Sequence, residues 1–419
     1  MTTWTDAPTD RAGGPRATVA QLKAVLDRPM ASQHLVVASA GLLLGLGMMM
    51  VLSSSSVMAY NSYGDSYYFV KRQLVFLAIG LPVAWLVSRM SRSVLHVMAW
   101  LALLGSMVLL MLIFVPGLGS SAGGNDSWLA LGSSSFLRIQ PSEFAKVAIA
   151  LWGADVLAQK HKLLDQPRHL AVPYLPLVGI VVALVLLQKD LGTAMVMGLI
   201  VLGVLWMVGA PKRIFFTLVL IATAGVGAMV LTSPNRVRRF LGFLNPGEDK
   251  LGVNMQASVG LEAIASGGWW GRGLGHSLEK WGRLSAAHTD FVFAVIAEEL
   301  GLIGSLTVLA LFLVLGYAGL RIALRSDRPF YRYLAIGITT WFLGQALINI
   351  AVVLRWGPVM GVPLPMVSYG GSALLANLLA LGLLLNCARN EPDARELITG
   401  KRARQPRPRV TTVVAGQER

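Results

Sequence analysis

The sequence predicts an all-α fold: a polytopic membrane protein of about ten transmembrane helices with one long extracytoplasmic loop between the seventh and eighth. Three observations carry that prediction. Only 14% of the 419 residues are charged while 55% are hydrophobic, against roughly 25% charged in a soluble domain. Mean hydropathy is +0.62, and the 44 glycines suit membrane helices, whose neighbours re-satisfy a loosened backbone. Apolar runs of about 20 residues, the length that crosses a hydrocarbon core, recur near 35–53, 73–88, 94–115, 141–158, 172–188, 190–210, 214–231, 291–319, 333–354 and 371–388. A soluble enzyme is excluded by this balance. One cysteine, Cys387, excludes an intrachain disulfide and any paired-cysteine metal motif.

Along the chain, residues 1–33 form a polar, basic tail with no cleavable leader, so the first span is expected to insert as its own signal. The second span is interrupted by Pro82, and the fifth and sixth are separated only by Gln188, Lys189 and Asp190. Residues 34–388 then make the ten-helix domain, 232–289 its long outer loop, and 389–419 a disordered basic tail containing Lys401, Arg402, Arg404, Arg407 and Arg409. A net charge of +15 raises the question of nucleic acid, and the distribution of that charge answers it. With both termini in the cytoplasm, 23 of 36 Lys and Arg lie in the tails and short inner loops, the pattern that orients a multi-pass membrane protein. No nucleic-acid partner is predicted.

Polar residues at span ends are the candidate chemistry. In the outer loop, Gln256–Ser266 has the apolar spacing of a short interfacial helix, followed by Trp269, Trp270 and Trp281. Gly267, Gly268, Gly271, Gly273 and Gly275 resemble a phosphate-binding loop but lack a βαβ context, so a tight turn is the plainer reading, with close approach of a pyrophosphate as the alternative. His288, Thr289 and Asp290 precede the eighth span. There Thr289 or Asp290 serves either as a helix N-cap or, for Asp290, as a general base if burial or a nearby carboxylate raises its pKa. Gln140-Pro141-Ser142-Glu143 opens the fourth span, and Lys146 lies at i+3 from Glu143, giving either a local ion pair or a functional intramembrane cation. Glu298 and Glu299 lie two turns beyond Asp290, most simply as interhelical hydrogen-bonding groups. Gly361, Pro363 and Pro365 lead into Ser368, Tyr369 and Gly370, a rigid outer turn. The six histidines show no metal-ligand spacing, so no protein metal site is predicted.

Four stretches together resemble the SEDS family of cell-wall polymerases: QPSEFAK at Gln140–Lys146, DLGTA at Asp190–Ala194, GGWWGRGLGHSLEKWGRLSAAHTDFVFAVIAEELG at Gly267–Gly301, and GVPLPMVSYGGSALL at Gly361–Leu375. The resemblance runs in order from Met30 to Cys387. LSSSSVMAY and GDSYYFVKRQ look more like the division-type FtsW branch than the elongation-type RodA branch. The chain departs from the family pattern at Lys189 and Ser285, where proline is frequent, and at Arg355-Trp356 before the last outer turn.

The resemblance implies a peptidoglycan glycosyltransferase that polymerises lipid II on the outer face of the bacterial cytoplasmic membrane, at the division septum. Asp290 matches the family's catalytic aspartate, and Glu143 and Lys146 match cavity residues near it. The acceptor GlcNAc 4-hydroxyl would lose its proton to Asp290 while undecaprenyl diphosphate leaves with inversion. Lys146, Arg272 and Lys280 are candidate cations for that diphosphate, and His288, Ser368, Tyr369 and Gly370 complete the expected cavity. No tightly bound cofactor is expected, although a divalent cation, Mg²⁺ or Mn²⁺, could accompany the diphosphate. Expected partners are lipid II, the growing strand, a class B penicillin-binding transpeptidase and other division proteins. The alternatives from other classes are a lipid II flippase and a non-catalytic division scaffold.

Overall fold

The computed structural model describes residues 28–122, 125–130, 138–164, 166–231, 237, 241–243, 254–279, 284 and 286–400. The chain enters helix α1, Ala31–Tyr63, and continues through α2, Tyr68–Val87, and α3, Arg92–Leu112. Then come α4, Pro141–Gln159, α5, Tyr174–Leu187, α6, Leu191–Val208, and α7, Lys212–Leu231. The outer-loop helix α8, Met255–Gly267, precedes α9, Val292–Arg325, α10, Pro329–Val353, α11, Gly371–Arg389, and the short α12, Pro392–Thr399. Each of the ten apolar runs coincides with a helix, and the interfacial helix expected over 256–266 is α8. Eight helical segments among the described residues are long and apolar enough to cross a membrane. Of the ten, α4 and α7 are the two outside that group.

The reason for α4 is its position. It packs against α3, α5, α6, α10 and α11, so from Pro141 to Leu157 only Phe144 is not fully buried. A helix wrapped by other helices never meets lipid, and it can carry Glu143, Lys146 and Asp155. Small residues let the neighbours approach: a Cβ on Gly153 would lie 2.6 Å from the Tyr174 ring of α5. Outward-facing positions of the peripheral helices are apolar, as with Trp85, Leu101, Trp206 and Phe216, which is the surface a bilayer requires.

Two features depart from a purely helical reading. Between α3 and α4 the chain forms a three-stranded antiparallel sheet, β1 Gly119–Ala122, β2 Asn125–Ala130 and β3 Arg138–Ile139, paired in that order. It ends directly at Gln140 and Pro141, so it fixes where α4 starts. Second, α9 is broken at Gly301, whose φ of 69° and ψ of −164° lie outside the helical region. The glycine-rich turn fits into this break: Leu302 N donates to Gly268 O at 2.9 Å, while Arg272 N and Gly273 N donate to Glu298 O and Glu299 O at 2.9 and 3.0 Å. A Cβ on Gly271, itself at φ 78°, would sit 2.2 Å from Glu299 O. Gly271 is therefore glycine because the two backbones touch. These amides are occupied by the chain's own carbonyls, so the turn is a strap and not a phosphate cradle.

Candidate active site

Asp290 occupies the turn that leads into α9. The N-cap position of α9 is Phe291 and no side chain caps it, which removes the reading of Thr289 or Asp290 as an N-cap. Instead the backbone carbonyl of Asp290 accepts from Asn349 Nδ2 at 2.7 Å, and the same nitrogen donates to Val362 O at 2.7 Å. Gly361 lies beside the carboxylate, where an added Cβ would be 3.5 Å from Oδ2. The side chain is partly accessible. Burial first, and the charge of Asp190 second, push its pKa up to about 6. Of the two causes expected for a raised value, burial and a nearby carboxylate, both act here, and the carboxylate is Asp190 from the DLGTA stretch.

Asp190 is held from several sides. It caps α6 by accepting from Thr193 N at 3.1 Å and Thr193 Oγ1 at 2.9 Å, and it accepts from Gln140 Nε2 at 3.1 Å. Gly192 then packs directly on the loop that carries Gly361: a Cβ there would be 2.5 Å from Val362 Cγ2 and 2.8 Å from Met360 O. The two aspartates therefore flank one stretch of backbone.

The 361–370 turn is pinned to the His288–Asp290 turn. Ser368 Oγ donates to Thr289 O at 2.6 Å and accepts from Leu364 N at 2.8 Å, while Tyr369 N donates to His288 O at 2.9 Å. Gln73 of α2 holds the far end, accepting from Gly370 N at 3.4 Å and donating to Ser368 O at 3.5 Å. The His288 ring lies 4.9 Å from Phe69 and 5.6 Å from Tyr369. Burial lowers its pKa to about 4, so it is neutral at physiological pH and offers no imidazolium. Burial raises the Tyr369 phenol to about 12, against the opposing pull of Arg72.

Glu143 and Lys146 form the i, i+3 ion pair expected on α4, at 2.9 Å, with both side chains almost wholly buried. Lys146 Nζ also donates to Gln345 Oε1 at 2.8 Å and stands 4.9 Å over the Trp341 ring. Gln345 Nε2 in turn donates to Pro363 O at 2.8 Å. Gln345 and Asn349 are four residues apart on α10, so they share a face and together tie the α4 pair, the 361–363 backbone and Asp290 into one network.

The structure thus brings together Asp290, His288, Ser368, Tyr369, Gly370 and, through Gln345 and Asn349, Glu143 and Lys146. It does not bring Arg272: that side chain is exposed, with Nε 3.4 Å from Ser266 O in the glycine strap. Lys280 lies outside the described residues. Asp190, which the sequence offers only as a span boundary and within DLGTA, joins the site here together with Gln345, Asn349 and Gln73, three amides that no motif marks although amides inside apolar spans are themselves a signal. Glu298 and Glu299 serve the strap. Glu298 accepts from Ser277 Oγ at 2.5 Å and Leu278 N at 2.8 Å, and Glu299 accepts from Ser53 Oγ of α1 at 2.6 Å. Four non-glycine residues in left-handed backbone, Lys189, Ala286, Arg355 and Met366, flank this cluster, and such strain concentrates at functional sites.

With this geometry in view, the comparisons with known proteins are specific. The sequence profile of the FtsW/RodA/SpoVE family, described as cell cycle proteins, matches residues 33–393. The chain is 40% identical over 369 residues to the probable peptidoglycan glycosyltransferase FtsW of Mycobacterium tuberculosis, covering 88% of this chain and 70% of that one. It is 39% identical to the stage V sporulation protein E of Bacillus subtilis, covering 83% and 94%. Among solved structures, one described as a peptidoglycan synthase complex that coordinates polymerization and crosslinking matches with a TM-score of 0.68 at 31% identity, over 85% of this chain and 97% of that one. The rod shape determining protein RodA of Thermus thermophilus matches at 0.62 and 29%, over 85% and 96%. The arrangement of polar side chains around Asp290 is therefore built on a frame with solved counterparts, and the chain belongs to the FtsW/RodA/SpoVE family of SEDS membrane proteins, on its FtsW-type side.

Proposed function

We propose that this protein is a peptidoglycan glycosyltransferase that polymerises lipid II into glycan strands during cell division, with Asp290 as the general base. The observation that carries the reading is the Asp290 carboxylate: partly open, uninvolved in capping, and raised to about 6 by burial and Asp190. A base with a pKa just below the working pH is mostly ionised yet still basic enough to accept a proton. In the proposed step the acceptor's 4-hydroxyl oxygen bonds to the donor's anomeric carbon and its proton passes to Asp290. The anomeric carbon–oxygen bond to the diphosphate breaks on the opposite face, and undecaprenyl diphosphate departs with the electron pair. The α linkage becomes β.

Each remaining residue has a part in this reading. Asp190 adds to the effect of burial in raising the basicity of Asp290. Lys146, engaged by Glu143 and Gln345, acts through the 361–363 backbone that Gln345 holds. Neutral His288, Ser368, Tyr369 and Gly370 shape the wall on which sugars rest. Arg272, in the strap and away from this cluster, is left for more distant contacts with the lipid-linked substrate. Among the described residues no three His, Cys, Asp or Glu side chains converge as a metal site. No step is routed through a cation.

The proposed orientation puts both termini in the cytoplasm and Asp290 on the outer face of the cytoplasmic membrane, supported by the basic inner loops. It assigns 1–33 and 389–419 as cytoplasmic tails around the 34–388 membrane domain. A class B penicillin-binding transpeptidase is the proposed partner, supported by the likeness to a chain from a peptidoglycan synthase complex. The test is reconstitution of the full chain with lipid II, with and without its transpeptidase. The wild type should make glycan strands and Asp290→Asn should make none. Translocation of lipid II without strands would overturn the proposal in favour of a flippase.

A further inference from the structure

A shallow cavity, open to solvent, lies between α8 and the turn after α10, lined by Phe243, Asn254, Ala257, Arg355, Gly357, Pro358 and Val359. None of its described lining residues is acidic. Both segments that line it lead on toward the Asp290 site. One turn beyond Ala257 on α8 lies Gly260, where a Cβ would be 3.1 Å from the Phe291 ring, and the chain beyond Val359 reaches Gly361 beside the Asp290 carboxylate.

Arg355 is the residue that calls for explanation. Its φ of 59° is a left-handed conformation that ordinarily goes to glycine at a helix C-terminus. Closing that terminus does not need a guanidinium. Leu354 N, Arg355 N and Trp356 N already donate to Ile350 O, Val352 O and Ala351 O at 2.8, 3.0 and 2.7 Å. The side chain reaches Ser258 Oγ only at 3.5 Å through Nη1. Nη2 is buried and meets no acceptor among the described residues. A guanidinium is a planar fork suited to two oxygens of one anion, and here one arm of that fork is left without an acceptor beside an open cavity.

We propose that Arg355 and this cavity form a subsite for the phosphate oxygens of the lipid-linked substrate's diphosphate. This rests on the polymerase reading above and supplies it with a cation on the turn that leads to Gly361 and the Asp290 carboxylate, a place that Lys146 and Arg272 do not take. The same chemistry could be met by an anionic phospholipid headgroup, and the test separates the two sources.

The test uses the full-length protein and Arg355→Gly, because glycine relaxes the left-handed backbone while removing the guanidinium. Its thermal unfolding midpoint should equal or exceed that of the wild type. Calorimetric titration with inorganic pyrophosphate should show binding weakened about tenfold in Arg355→Gly, partly restored in Arg355→Lys, and unchanged in Lys162→Gln, which removes one charge at the opposite end of α4. With lipid II, KM should rise about tenfold with kcat nearly constant, both in phospholipid-free detergent and in phosphatidylglycerol vesicles. Unchanged pyrophosphate binding overturns the subsite. So does a lowered midpoint that accounts for the loss of binding, since Arg355 would then be a structural prop. A KM effect confined to the vesicles overturns the assignment to substrate in favour of the headgroup. Wild-type protein that binds pyrophosphate through Arg355 yet makes no glycan would support the anion site and overturn the polymerase reading on which its ligand rests.

Discussion

At the scale of single residues, Asp290 trades stability for basicity. An aspartate whose folded pKa lies above its unfolded value holds an extra proton in the folded state, so stability falls as pH rises from about 4 to about 6. Asp290→Asn should therefore stabilise the protein at pH 7.5 by on the order of 2 kcal/mol, allowing for partial solvent access. Below about pH 4 the advantage should vanish, as thermal unfolding across pH would reveal. In the active enzyme, kcat/KM should fall as pH drops through about 6. Asp190→Asn removes the like charge and should move that acidic limb to lower pH, whereas a purely structural Asp190 would lower the rate without moving it. The importance of Asp290 is legible in the sequence because HTD sits at a span end. The neighbour that tunes it is not, since Asp190 lies one hundred residues away and only folding brings it near.

At the scale of elements, α4 and α10 are joined through charged and polar groups inside the bundle. Lys146→Met would strand the Glu143 carboxylate, one of whose oxygens already lacks a partner among the described residues, and should cost about 3–5 kcal/mol. Adding Glu143→Leu should recover much of that loss of stability, yet not the activity, because Gln345 would keep only the Trp341 Nε1 donor of the two that orient its side-chain oxygen. Denaturation in detergent beside a polymerisation assay separates these outcomes. The i, i+3 spacing makes the pair readable from sequence alone. The three-stranded sheet before α4 escapes such reading, because strands of four, six and two residues are too short for alternation to register. The role of the glycines is likewise half legible: their clustering marks a turn, but only the break at Gly301 reveals what the turn grips.

At the scale of the whole molecule, the order of the spans follows from apolar length and needs no tertiary knowledge. Orientation is open to a direct measurement, helped by the burial of the native Cys387, which keeps it from thiol reagents. Trp270→Cys, at a position 82% exposed, should react with an impermeant maleimide in intact cells. Leu163→Cys, 47% exposed at the other end of α4, should react only after permeabilisation. The reverse pattern would overturn the proposed topology. The break in α9 bears on how the protein sits in its bilayer. Beyond Gly301 the helix still has 24 residues to Arg325, a rod of about 36 Å, which is enough by itself to cross a hydrocarbon core of about 30 Å. The nine residues before the break are thereby released from spanning. When lipid thickness changes, the lower rod can tilt to match it, while the upper segment, belted to the glycine strap and to α1, keeps Asp290 in register with its surroundings.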